Sequence, residues 1–277
     1  MKRALCIHDL PTVGRASLAV ILPVLSAAGV QCCALPTAVL SSHFGGFAPV
    51  QVQQMSDQMA HSFAAYEKQK IRFDAISTGY LTGPEQAALV CSALEKHTAK
   101  LIVVDPVMAD HGKFYHGFDA GMVAALSALC QKADVITPNP TESALLLGQD
   151  PLTACWDEQL LESRCRQLAE TFGCDVVLTG CRLAEDHVVC GGFDRKENNF
   201  FMLECDYVNA QYPGTGDLFT AVLTGALLRG KSLKAAANAA LCFTQRVVHT
   251  TFAAGCEPRF GVEFEPLLGT LEDLLCH

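Results

Sequence analysis

Four absences narrow the field before any motif is read. The chain has no uninterrupted apolar run of about 18 residues, so no segment reads as a transmembrane helix. Its 14 cysteines include no Cys-x-x-Cys pair, which removes the usual spacing of zinc sites and dithiol redox motifs. Basic residues are in deficit: 20 Lys and Arg stand against 29 Asp and Glu, a formal charge of -9, which argues against a surface for nucleic acid or an acidic membrane. No Gly-x-Gly-x-x-Gly follows the first apolar run, which makes a dinucleotide-dependent dehydrogenase a weak reading. Low-complexity segments, linkers and internal repeats are also missing, and one domain spanning residues 1–277 is the simplest reading.

What is present is a large apolar fraction, 50% of the residues, enough to fill a sizeable core. Cys6, Cys91, Cys130, Cys174 and Cys242 lie inside apolar runs, where a thiol behaves as a small hydrophobe. Cys32 and Cys33 are adjacent on a strand run and point to opposite faces. Reduced cysteines predict a cytoplasmic protein. The opening Met1-Lys2-Arg3 imitates a signal peptide, but His8, Asp9, Pro11, Gly14 and Arg15 break the apolar stretch that should follow.

Short Val- and Ile-rich runs alternate with helix-period stretches. The runs are Ala4–Ile7, Val30–Val39, Asp74–Thr78, Leu101–Val104, Val135–Thr137 and Val176–Thr179. Between them the period predicts helices over Arg15–Ala28, Pro49–Gln69, Pro84–His97, Asp119–Gln131, Thr141–Leu147 and Glu158–Phe172. Apolar runs without strict alternation are strands buried on both faces, and strand–helix alternation implies right-handed crossovers. The fold class is therefore α/β, a mostly parallel central sheet with helices on both faces. Val188–Phe193 and Asn199–Glu204, joined by a polar turn, predict an antiparallel hairpin at one edge. Helices over Leu218–Leu228, Leu233–Val248 and Glu265–Leu275 complete the chain.

In open α/β sheets ligands bind beyond the carboxyl ends of the strands. Asp9, Ser41-Ser42-His43, Gly79-Tyr80, Asp105, Thr137 with Asn139, and Thr179-Gly180 all occupy such places. The sharpest signal is Pro213-Gly214-Thr215-Gly216-Asp217, directly before an apolar helix. Its glycines permit a tight turn, and the helix start offers unpaired N–H groups to an anion. Asp217 either caps that helix or accepts a proton from an incoming hydroxyl; beside an anion cradle the second role makes better chemical sense.

This segment resembles the anion-hole signature of the ribokinase-like superfamily. Val104-Asp105-Pro106-Val107-Met108 with Asp110, Thr137-Pro138-Asn139-Pro140-Thr141-Glu142, Ser77-Thr78-Gly79-Tyr80-Leu81 and Leu40-Ser41-Ser42-His43 are similar to further signatures of its vitamin B6 kinase branch. The elements occur in family order nearly end to end. The resemblance implies that Asp217 takes a proton from the vitamer's 5′-hydroxyl while that oxygen attacks the γ-phosphate of ATP. Gly214, Thr215 and Gly216 then offer donors to the transferring group. It implies that Asp105 and Glu142 organise Mg²⁺, that Thr137 and Thr179 lie near the phosphates and a K⁺ site, and that Asn139 and Asp110 support nucleotide or metal. Asp9, His43 and Tyr80 are implied to contact the pyridine ring, and a homodimer is the family's usual assembly. One departure is Phe44, which stands where the better-known members carry threonine; Pro36–Phe47 is expected to form a flap over the ring, freed by Gly45-Gly46. The rival within the superfamily is a hydroxymethylpyrimidine kinase, whose glycine-rich stretch after the first strand is replaced here by Thr12-Val13-Gly14-Arg15-Ala16-Ser17-Leu18. A non-catalytic ligand-binding relative is the rival from another class, disfavoured by intact Asp217, Asp105 and Glu142.

Overall fold

A computed structural model describes residues 1–97, 99–152, 156–184 and 187–276. One nine-stranded sheet organises the chain. Its strands are β1 (Lys2–Pro11), β2 (Val30–Leu40), β3 (Val52–Gln54), β4 (Ala75–Thr78), β5 (Leu101–Val104), β8 (Val135–Ile136), β9 (Asp175–Ala184), β10 (His187–Asp194) and β11 (Asn199–Asp206). The missing numbers, β6 (Ala109–Asp110) and β7 (Lys113–Phe114), form a separate small ribbon. The order is β11-β10-β9-β8-β5-β4-β1-β2-β3. From β9 to β2 every pairing is parallel, while β9, β10 and β11 run antiparallel as a meander and β3 pairs antiparallel with β2.

Nine α-helices connect these strands among the described residues: α1 (Leu18–Ala27), α2 (Ser56–Lys68), α3 (Pro84–Lys96), α4 (Ala120–Cys130), α5 (Pro140–Leu146), α6 (Glu158–Phe172), α7 (Thr215–Leu228), α8 (Leu233–Ala253) and α9 (Leu271–Cys276). Strand alternation divides the core in two. Ala4 and Cys6 of β1 join α1, α7 and α8 in one apolar cluster, while Leu5 and Ile7 join residues of α2, α3, α4 and α6 in the other. Cys32 packs against the first cluster and Cys33 against the second, as their adjacency on a strand requires. All thirteen described cysteines are free thiols, six of them buried. No described helix is long and apolar enough to cross a membrane.

Several boundaries differ from those the period predicts: Glu265–Leu275, for one, divides into a 3-10 stretch over Glu265–Thr270 and the short helix α9. The stretch Pro49–Gln69 is not one helix: Val52–Gln54 pairs with β2, and α2 begins only at Ser56. Arg15–Ser17 stays outside α1, because Ser17 takes a positive φ of 50° that no helix accommodates. Residues Pro36–Leu40 belong to β2, so of the expected flap only Ser41–Phe47 lies outside a strand. The run ending at Thr179 continues to Ala184, passing through an irregularity where Gly180 adopts φ +72°. Edge pairing and bulges depend on neighbours distant in sequence, and local periodicity does not report them.

Candidate active site

The carboxyl ends of β1, β4, β5 and β8 converge with the start of α7. Gly214 caps that helix with φ +82°, and a Cβ there would lie 2.1 Å from the Arg15 carbonyl oxygen, so the backbones touch where only glycine fits. The first-turn N–H groups of α7, from Thr215 to Asp217, lack helical partners and form a positive, donor-lined end. The Thr215 hydroxyl donates to the Tyr212 carbonyl at 3.3 Å.

Asp217 occupies the third position of this helix. The Ser17 N–H donates to its Oδ2 at 2.7 Å across 200 residues of sequence. Its Oδ1 faces His8 Nδ1 at 3.9 Å, and the side chain keeps 16% of its surface exposed. Burial raises its pKa to about 7; the Ser17 bond opposes that rise and the Asp9 charge adds to it. A carboxyl poised near neutrality and open on one side is fitted to accept a proton.

Asp105, at the end of β5, is 7% exposed, and its Oδ2 accepts from the Thr220 hydroxyl at 3.4 Å. Thr137 and Thr220 hydroxyls lie 3.2 Å apart, joining the end of β8 to α7. Burial first, then the Asp217 charge, lift the Asp105 pKa to about 8. Glu142 is 3% exposed and also held well above the ordinary range, by burial and then by Asp105. Its Oε2 accepts from the Asn139 N–H at 2.9 Å while the Asn139 side chain accepts from the Glu142 N–H, a capping box that opens α5; its Oε1 accepts from the Met108 N–H at 3.0 Å. Two buried carboxylates, with Asp105 raising the pKa of Glu142 and oxygen lone pairs left over, are the donor chemistry a hard cation satisfies. Among the described residues no three acidic, His or Cys side chains converge, so such an ion would rely on waters or substrate oxygens for the rest of its shell.

Asp9 on β1, His43 and Phe44 just after β2, and Tyr80 just after β4 form a second group. Asp9 is 4% exposed, its Oδ1 has no hydrogen-bond partner, and burial raises its pKa to about 6. Tyr80 is pushed up to about 12 by burial and by Asp9, stacks on Phe118 at 5.6 Å, and meets Phe44 at 6.3 Å. His43 accepts the Gly45 N–H on Nδ1, and its ring edge presses on Gly14, where a Cβ would lie 2.4 Å away. Phe44 remains 44% exposed at the mouth. Asn139 also donates from its side chain to the Ala109 carbonyl, fixing the small ribbon.

Two expected residues make no side-chain hydrogen bond to this cluster. Asp110, on the ribbon, spends its carboxylate on His111, accepting its N–H at 2.8 Å and pairing with its ring at 3.5 Å. Thr179 is half-buried on β9, its N–H donating to the Pro138 carbonyl. Conversely, the sequence does not single out His8, Thr220 or Tyr115. Tyr115 is 40% exposed, and its hydroxyl is raised far above its usual value, by desolvation first and then by Glu142, Asp110, Asp105 and Asp217. His8 was detectable in principle, since strand parity puts it on the α7 face with Ala4 and Cys6.

A doubly wound sheet with a donor-lined helix start and a carboxylate in its first turn is the arrangement of a small-molecule kinase of the ribokinase-like class. The family model for phosphomethylpyrimidine kinase matches residues 21–260. The chain belongs to that family. It is 30% identical over 264 residues to a pyridoxine/pyridoxal/pyridoxamine kinase of Bordetella bronchiseptica, covering 88% of this chain and 87% of that one. A Saccharomyces cerevisiae protein provisionally named a pyridoxal kinase is 28% identical, the match spanning 66% of this chain and 62% of that protein's length. Among solved structures, pyridoxal kinase from Lactobacillus plantarum superposes with a TM-score of 0.92 at 34% identity, covering 99% of this chain and 98% of that one. A Bacteroides thetaiotaomicron protein assigned to the phosphomethylpyrimidine kinases and crystallised with pyridoxal does so with 0.92 at 37% identity, covering 98% and 96%.

Proposed function

We propose that this chain is an ATP-dependent vitamin B6 kinase that phosphorylates the 5′-hydroxymethyl group of pyridoxal, pyridoxamine or pyridoxine. The observation that carries the reading is Asp217: a partly buried carboxylate with one oxygen fixed by Ser17 and the other open beside the donor-lined start of α7. With the vitamer bound, Asp217 Oδ1 takes the hydroxyl proton as that oxygen bonds to the γ-phosphorus; the bond from phosphorus to the β–γ bridging oxygen breaks, and ADP leaves with that electron pair. The amides of Gly214, Thr215 and Gly216 receive the charge spread over the phosphoryl oxygens, which is where a loose transition state needs help. Asp105 and Glu142 would hold Mg²⁺, whose contribution is charge neutralisation on the phosphates; Thr137 and Thr179 are the residues assigned to phosphate and K⁺, with Asn139 and Asp110 supporting the nucleotide side.

Asp9, His43 and Tyr80 hold the pyridine ring, Asp9 Oδ1 being the buried acceptor left for one of its polar hydrogens. Phe44 closes the mouth with an apolar edge. The protein is read as one cytoplasmic kinase domain over residues 1–277, working as a homodimer. The decisive experiment is a panel of the three vitamers and hydroxymethylpyrimidine with Mg-ATP. Turnover of at least one vitamer well above hydroxymethylpyrimidine is expected. Turnover of the pyrimidine alone would replace this reading with the thiamine-pathway activity, and release of no ADP with any substrate would point to a non-catalytic relative.

A further inference from the structure

His8 is the one fully buried titratable side chain at the cleft floor to which the mechanism gives no task. It projects from β1 between β4 and α7. Its Nε2 lies 3.4 Å from the Ser77 hydroxyl, and its Nδ1 lies 3.9 Å from Asp217 Oδ1 with no hydrogen-bond partner of its own. Gly79 leaves room for the ring, since a Cβ there would fall 2.3 Å from Nδ1. Burial drives its pKa down to about 3, so the imidazole is neutral at any working pH. A neutral ring carries one N–H. With Ser77 donating to Nε2, the proton is on Nδ1 and faces the carboxylate; the other tautomer would set a lone pair against Oδ1.

We infer that His8 is a positioning residue for Asp217, a neutral Nδ1–H donor braced by Ser77 that steadies Oδ1 in the rotamer from which it receives the substrate proton. The remaining gap is about 1 Å beyond a formed hydrogen bond, the looseness expected of a catalytic contact before substrate closes the site. Ser17 already holds Oδ2, so the two contacts fix both oxygens of the carboxylate while Oδ1 keeps a lone pair for the incoming proton. Full burial of an unpaired donor is costly to the fold unless something repays it, and Asp217 is the acceptor in front of it.

This inference rests on Asp217 being the base, and the experiment separates the two. An Asn side chain places its Nδ2 where His8 Nδ1 stands, whereas a Gln side chain reaches only the Nε2 position. Steady-state kinetics are measured for His8→Asn, His8→Gln and His8→Leu, each also combined with Asp217→Asn, with far-UV dichroism and Tm as folding controls. His8→Gln and His8→Leu are expected to lower kcat by roughly 10- to 100-fold, the range of a hydrogen bond to a charged group, with KM for the vitamer nearly unchanged. His8→Asn is expected to stay within a few fold of the parent. On the Asp217→Asn background all three substitutions should become nearly silent, because nothing is left to position. If Gln preserves kcat better than Asn, or if the losses multiply with that of Asp217→Asn, His8 is only space-filling and the inference falls. If Asp217→Asn itself retains full turnover, it is the assignment of the base that fails.

Discussion

Asp217 and Glu142 make the most instructive pair in the molecule. Each is an acidic residue at the third position of a helix that starts just beyond the strand ends, and on paper each is a favourable first-turn charge. Asn139 caps α5 with its side chain, so Glu142 folds back to its own cap and accepts a second N–H from Met108; both its oxygens are engaged locally or nearby. Gly214 caps α7 with no side chain and a left-handed φ, so Asp217 has no reciprocal partner in its own helix. It reaches Ser17 instead, and one oxygen stays open. The cap residue thus decides which carboxylate is tied back into its own helix end and which is left to partners elsewhere in the chain.

The comparison can be broken most severely at Asp217. Asp217→Asn should lose turnover by about 10²- to 10⁴-fold, the usual worth of a general base, while ATP binding followed by titration calorimetry persists; near-parental kcat would make the two carboxylates equivalent after all. Gly214→Ala comes next. The added Cβ meets the Arg15 backbone, so the cradle must distort, and a kcat loss on the order of 10²-fold with about 1–3 kcal/mol lower stability in urea is expected. Unaltered kinetics there would remove the anion cradle from the chemistry.

Stability against pH sharpens the same contrast. Asp9, Asp217 and Asp105 have folded pKa values raised to about 6, 7 and 8, above their ordinary value. Their protonation therefore favours the ligand-free fold fully below about pH 4 and is lost as pH rises through 6 to 8. His8 works the other way: lowered to about 3, it costs stability as pH falls below its ordinary value of 6.5. Asp217→Asn should accordingly raise the stability of the ligand-free protein at pH 8 by roughly 1–3 kcal/mol and change little at pH 4, read by urea titration at both values. A variant no more stable at pH 8 would mean the carboxylate is better solvated than its burial implies. The smallest effect is expected at the mouth: Phe44→Thr should shift KM between pyridoxal and pyridoxamine by a few fold and leave kcat alone, the scale of one exposed contact. Unmoved KM values would detach Phe44 from the ring pocket.

The sequence by itself determined the α/β alternation, the edge hairpin and the identity of the α7 start, because each is written in contiguous residues: apolar runs, glycine placement and a helix-period face. It also nominated Asp105, Asp9, His43 and Tyr80, since strand ends are where ligands bind, while Glu142 came from the family resemblance. Only the tertiary structure decided that Pro49–Gln69 splits into a strand and a helix, that Asp110 turns to His111, and that Asp217 is held by Ser17 and faced by His8. Those outcomes are contacts between segments up to 200 residues apart. Their energies come from burial and from hydrogen-bond partners that no local pattern specifies, which is why a carboxylate's readiness for catalysis became visible only once the strands and helices had packed.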